Sequence, residues 1–249
     1  MTAKDVEARL AGPFVLVRGM YGGERLDFDA QGNLVGSAQR TALTLSAITD
    51  LKIRMTDAEL EVAGKRAGLE FDAATPDAPV MERSEGVGKH DKLVVRIARD
   101  PRRPEELSAA LNKVFAVGFD DALVDSAPDY WQPWLRHDLH PGDAISAPPF
   151  AAGVAKFPMR GVTPPRLTFD PDPEFSDSAR RRKFKGTFVA GLIVDENGNP
   201  QHVYVVRPLG MGLDELAIAA VKRYRFMPAM RDGAPVAVLI HIEVNFRIY

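Results

Sequence analysis

His137-Asp138-Leu139-His140 holds two imidazoles close enough in sequence to share a metal ion. Such a site needs a third ligand on a fixed element, and the sequence offers neither. The pair reads as surface or helix-end histidines. Asp120, Asp121, Asp125 and Asp129 form a run of carboxylates that calcium chemistry would use. The run lacks the loop glycine and closing glutamate of an EF-hand, so it reads as a solvated helix face. Tyr130, Trp131 and Trp134 offer flat rings for stacking on a sugar or nucleobase. A cluster of this kind more often anchors a core or an interdomain contact. Arg180-Arg181-Arg182-Lys183 is a basic run of the sort that meets nucleic acid. In a chain of net charge −2 it reads as a solvated helix end, and no nucleic-acid partner is expected.

No nucleophile elbow, phosphate loop or zinc-protease helix occurs. The carboxylates are too evenly spread to single out an acid–base pair. With no cysteines there is no zinc ribbon or redox pair. The expectation is a protein with no catalytic residue, no metal and no cofactor, and so not an enzyme. At 249 residues the chain suits one large domain or two ordinary ones. No stretch approaches the roughly 18 apolar residues of a membrane span. The start, Met1-Thr2-Ala3-Lys4-Asp5, has no apolar signal-peptide core. The chain is therefore expected to be soluble, either cytosolic or a mature exported form.

The elements that must position any site fall into three stretches. The first hundred residues read as β-rich. Phe14 to Met20 is a short apolar strand, and Leu26 and Phe28 alternate with Arg25, Asp27 and Asp29. The turn Asp29-Ala30-Gln31-Gly32-Asn33 follows, with Gly32 for a positive φ and Asp29 to bind the amides ahead of it. Period-2 segments at Leu51–Met55, Leu60–Val62 and Leu93–Ile97 predict an antiparallel sheet with one wet face. Pro104, Glu105 and Glu106 open a helix whose apolar face is Leu107, Ala110, Leu111 and Val114. A second helical or irregular piece runs from Asp121 to Leu139.

Between Pro141 and Pro173 lie 8 of the chain's 19 prolines, which excludes ordinary helix or central strand. The stretch is expected to be an extended connector that packs on a surface through Phe150, Val154, Phe157 and Met159. Beyond it, Gly186 to Val194 alternates as a strand, and Asp195-Glu196-Asn197-Gly198-Asn199 repeats the turn chemistry seen at Asp29. Gln201 to Arg207 is the return strand. Leu213, Leu216, Ala217, Ala220, Val221 and Tyr224 make one helical stripe, with Asp214 and Glu215 at the positive end of its dipole. After a turn at Arg231-Asp232-Gly233, the residues Val236, Val238, Ile240, Ile242, Val244, Phe246 and Ile248 predict one strand of about 13 residues. The order strand–strand–helix–strand gives a two-layer α+β unit.

The segments PEFSDSARRRKFKGTF, VDENGNPQHVYVVRPLG and GLDELAIAAVKRYRFMPAMRDGAPVAVLIHIEVNFRIY resemble the TonB C-terminal domain. The echoes are Gly186, Leu213-Asp214, Tyr224 to Ala229, Gly233, Pro235-Val236 and Val244-Asn245-Phe246. The front part, through VLVRGMYGGERLDFDAQGNLVG, ELEVAGKRAGLEFD and SAPDYWQPWLRHDL, more loosely resembles the front of exported TonB-like proteins, which has no established activity. The expected organisation is α+β: a β-rich N-terminal domain over 1–140, the proline-rich connector over 141–175, and the TonB-like domain over 176–249.

The resemblance implies a periplasmic, exported protein that binds an outer-membrane TonB-dependent receptor or another envelope protein. It implies that a partner segment adds beside the last strand, at the edge formed by Val236, Val238, Ile240, Ile242, Val244 and Phe246. A regular edge of that length needs a cover, which a partner, a second copy of the chain or the N-terminal domain could supply. Founding members carry a membrane anchor, and these 249 residues hold none, so the chain alone is not expected to transduce energy. Two further readings stand beside this one: a structural subunit of an envelope assembly that reuses the fold, and an enzyme with its site in the N-terminal domain.

Overall fold

The computed structural model describes residues 1–71, 81–84, 92–140 and 154–247. The chain divides into two units. The first runs from Met1 to Glu70 and resumes from Met81 to Ser126. The second takes Phe71 and the described residues from Ala127 on.

In the first unit, α1 (Ala3–Arg9) precedes β1 (Val15–Val17), β2 (Arg25–Phe28), β3 (Ala47–Met55), β4 (Glu59–Phe71), β5 (Met81–Ser84) and β6 (Lys92–Ala98). Then come α2 (Pro104–Val114), β7 (Phe115–Val117) and α3 (Asp121–Ser126). The strands form one sheet in the order β2-β6-β4-β3-β1-β7, with β5 on β4. The pairs β1–β3, β1–β7, β3–β4 and β4–β6 are antiparallel as expected, whereas β2–β6 run parallel. Alternation decides the faces. Leu60 pairs with Ile97 and Val62 with Val95, all buried, while Glu61 opposite Arg96 forms an ion pair at 2.8 Å on the other face. Helix α2 starts on Pro104 and buries the four predicted residues Leu107, Ala110, Leu111 and Val114.

The expected helical piece from Asp121 to Leu139 is two helices, α3 and, in the second unit, α4 (Gln132–Leu139). Pro128 sits between them, where its ring would break a continuous helix. The expected boundary at residue 140 therefore differs from the division observed, which falls between Ser126 and Ala127. Trp131 and Trp134 are 0% and 1% exposed, and both ring systems pack with Phe71 at centroid distances of 6.4 and 4.9 Å. They are core residues of the second unit, not a stacking platform.

The described part of the expected connector is strand-paired within the second unit. It contributes β8 (Ala155–Lys156), β9 (Val162–Thr163) and β10 (Arg166–Phe169). The doublet Pro148-Pro149 and Phe150 lie outside the described residues. After α5 (Asp177–Arg181) come β11 (Gly186–Val194), β12 (Pro200–Arg207), α6 (Leu213–Val221), β13 (Arg225–Met227), β14 (Ala229–Arg231), β15 (Ala234–Val236) and β16 (Val238–Phe246). The main sheet is β12-β11-β16-β8, β10 pairs with β13, and β15-β14-β9 form a third ribbon. Its core holds Phe188, Ala190, Leu192 and Val194 from β11, Val205 from β12, Leu213, Ala217 and Val221 from α6, and Val244 and Phe246 from β16.

Helix α6 ends three residues short of the predicted Tyr224, because the backbone from Arg225 to Met227 is taken by β10. The predicted 13-residue strand is likewise two strands. Val236 closes β15 opposite Ala229, and β16 begins at Val238; Ile248 lies outside the described residues. No described helix is long and apolar enough to cross a membrane.

Candidate partner-binding edge

Strand β16 pairs with β11 in an unbroken antiparallel register from Val238↔Val194 to Phe246↔Gly186. On its other side, among the described residues, it pairs with the two residues of β8, which runs parallel as Ala155↔Val238 and Lys156↔Leu239. Phe157 N donates to the Leu239 carbonyl at 2.9 Å. Leu239 thus turns its backbone away from β11. In a pleated strand backbone direction and side-chain face alternate together, so His241, Glu243 and Asn245 turn their amides and carbonyls the same way as Leu239. Beyond Leu239 no strand among the described residues pairs with this side of β16.

The same alternation locates the residues named from the sequence. Val238, Ile240, Ile242, Val244 and Phe246 direct their backbone groups to β11. Val238, Val244 and Phe246 bury their side chains in the core, and Ile240 and Ile242 are half-buried. Val236 lies in the β14–β15 hairpin. The named side chains hold the strand in place, while the backbone presented at the edge belongs to the polar residues between them. Asn245 is fixed from within, its side-chain oxygen accepting from Thr187 Oγ1 at 2.7 Å.

Two local supports within the C-terminal stretch fix its turns. The loop Asp195–Asn199 closes through Asp195 Oδ1, which accepts from Asn197 N at 2.9 Å and Asn199 N at 2.8 Å. Gly198 has φ +79°, and a Cβ there would sit 1.8 Å from the Phe226 carbonyl oxygen. Phe226 N donates to the Gly198 carbonyl at 2.9 Å, so the loop seats directly on the stretch that leads toward β16. The first unit repeats the construction: Asp29 Oδ1 accepts from Gln31 N and Asn33 N, and Gly32 has φ +73° against Ala110.

The second support is Asp214. The sequence suggests a dipole-facing acid, but the side chain is fully buried. Its oxygens accept from Leu209 N at 2.6 Å and Gly210 N at 2.9 Å. These bonds hold a turn in which Gly210, Met211 and Gly212 all have positive φ. Burial, with the charge of Glu215 beside it, pushes the Asp214 carboxyl up to about 7, against the pull of the two amides. Glu215 itself accepts from Trp131 Nε1 at 2.9 Å, tying α6 to the tryptophan cluster. The signal for a buried acid was the apolar run around it, Leu209, Met211 and Leu213, which leaves Asp214 no wet face.

The remaining candidates are dispersed. Asp120 makes a bidentate pair with Arg18 at 2.5 and 2.6 Å, which holds its carboxyl below the usual range. Asp121, Asp125 and Asp129 are exposed. His137 and His140 lie at the end of α4, and no described cluster of three or more potential ligands is placed to hold a metal. Arg180 to Lys183 are exposed at the end of α5.

Residues 171–248 match the family described as the Gram-negative bacterial TonB protein C-terminal. Protein TonB of Vibrio cholerae is 30% identical over 110 residues, covering 43% of this chain and 45% of that protein. Protein tonB2 of Pseudomonas aeruginosa is 31% identical over 80 residues, covering 32% and 30%. The chain thus spans less than half the length of these relatives. Among solved structures, the solution structure of the Pseudomonas aeruginosa TonB C-terminal domain aligns over 39% of this chain and 98% of that one, at 14% identity and a TM-score of 0.28.

Proposed function

We propose, taking residues 171–248 as the TonB C-terminal domain they match, that this protein works in the cell envelope by binding other proteins, and that a partner segment adds as a strand beside β16. The observation that supports the reading is the side of β16 turned away from β11, along which no strand pairs past Leu239 among the described residues, on a strand held in unbroken register with β11. Backbone pairing supplies affinity in such a mode, and alternate side-chain contacts supply selectivity. The opposite edge of the sheet is less open, because Val205 N of β12 already donates to the Tyr130 carbonyl at 2.8 Å. The half-buried Ile240 and Ile242 favour apolar side chains on one face of the added segment, and Glu243 favours a cationic or polar neighbour on the other. Strand β8 occupies the first two positions of the same edge, which limits the added segment to the stretch from Ile240 on. An outer-membrane TonB-dependent receptor is the partner the resemblance suggests, and the periplasm the compartment.

The test is a proline at the outward-facing position. Glu243→Pro removes an amide directed at the edge and leaves the β11 ladder in place, whereas Val244→Pro removes an amide bonded to β11. Capture of outer-membrane proteins from envelope extract should be lost in Glu243→Pro while its fold survives. Equal capture by the intact chain and by a folded Glu243→Pro variant would overturn strand addition at this edge.

A further inference from the structure

The first unit contains a cleft of about 480 Å³ that the partner-binding reading does not use. Its walls come from the stretch after β1, from β2 and the Gly32 loop, from α2 and from α3. Arg18, Arg40 and Lys113 line it, and among the described residues no Asp, Glu or His does. This is a local excess of positive charge in a chain of net charge −2. Arg18 is neutralised from behind by Asp120. The guanidinium of Arg40 is exposed and paired with no carboxylate among the described residues. The ammonium of Lys113 donates to the side-chain oxygen of Asn33, a neutral acceptor, and its charge is felt weakly by Asp29. Two cations therefore reach the cleft without a direct ion pair among the described residues.

The same cleft is lined by rings. Tyr21 and Phe28 stand with centroids 6.3 Å apart, and Leu34 and Val114 extend the apolar wall. Sites for small molecules are commonly about 300–1,000 Å³, mostly apolar, with a few placed polar groups. The described lining offers cations, amide groups and apolar contact, and no carboxylate or imidazole to act as general base. We propose that this cleft binds a small organic anion, a carboxylate or phosphate carried on a ring or short apolar body, with Arg40 and Lys113 holding the charge and Tyr21 and Phe28 the body. The proposal is independent of the β16 edge, which lies in the other unit.

Titration calorimetry of the full chain with phenyl phosphate, inorganic phosphate and phenol tests it. Phenyl phosphate should bind at least tenfold more tightly than either fragment. The double variant Arg40→Gln/Lys113→Gln should lose at least tenfold in affinity with an unchanged circular dichroism spectrum, since both side chains are exposed. Amide shifts on binding should centre on Tyr21, Leu34 and Lys113. Affinity unchanged in the double variant would overturn the assignment. So would phosphate alone binding as tightly as phenyl phosphate, or no binding of phenyl phosphate up to millimolar concentration.

Discussion

Gly198 is the most exacting position in the second unit, and replacing it with alanine separates two costs that usually travel together. The first is conformational. At φ +79° an alanine is in the left-handed region, which costs roughly 1–2 kcal/mol. The second is steric. The new Cβ would meet the Phe226 carbonyl oxygen at 1.8 Å, and that neighbour is backbone held in β13. The loop must lift, and the bond from Phe226 N to the Gly198 carbonyl, worth about 1 kcal/mol, goes with it. Gly198→Ala should therefore cost about 2–4 kcal/mol. Gly233 is the matched control. It has φ +80° and nothing within 4 Å of its would-be Cβ, so Gly233→Ala should carry only the conformational cost, about 1–2 kcal/mol. Urea unfolding followed by tryptophan fluorescence reads the difference, because both tryptophans of the chain, Trp131 and Trp134, are buried in the second unit. If Gly198→Ala is no more destabilised than Gly233→Ala, the seating of the loop on Phe226 is not what demands the glycine.

Two further outcomes follow from buried groups. Asp214 is raised to about 7, so the folded state holds its proton where the unfolded chain, with an ordinary carboxyl near 4, has released it. The folded state binds more protons between those values, so stability from this group falls as pH rises from about 4 to 7 and then levels; Asp138, also raised by burial, acts with the same sign. The tryptophan-reported urea midpoint should be higher at pH 5.5 than at pH 8, and Asp214→Asn should flatten that dependence; a midpoint that rises with pH would refute the assignment. At Gly191 a Cβ would lie 2.2 Å from the Tyr204 ring, which covers this glycine. Gly191→Ala should displace the ring from its cluster with Ile193 and Leu239 and cost roughly 1–3 kcal/mol in the same unfolding assay.

What the sequence made legible is what local periodicity encodes. The four buried positions of α2 and the two Asp-led glycine turns follow from spacing and turn chemistry alone, and each is where expected. The misses come from contacts between residues far apart. Asp120 is one of several carboxylates in sequence, but its partner Arg18 lies 102 positions away. Trp131 and Trp134 anchor a core, as the sequence suggested, but their ring partner Phe71, about sixty positions earlier in the chain, could not be read from it. Over the described residues of the connector, 154–175, no helix occurs, in keeping with the proline density, yet proline says nothing about short two-residue pairings such as β8 with β16, where the amide that matters comes from Phe157.

The last strand carries the most instructive gap. Hydrophobic alternation identifies side chains that face a core, and it does so accurately for Val238, Val244 and Phe246. Strand addition, however, is performed by backbone, and in a pleated strand the residue that buries its side chain on this face spends its amide on the inner neighbour. The apolar residues that make β16 recognisable are thus committed twice, to the core by their side chains and to β11 by their backbone. A strand added as proposed would meet instead the backbone of Glu243 and Asn245, polar residues that a search for apolar pattern passes over. On the proposed strand addition, the strongest leverage on binding lies at Glu243 and Asn245, whose side chains could be exchanged with little cost to the core but whose amides could not be removed without closing the edge.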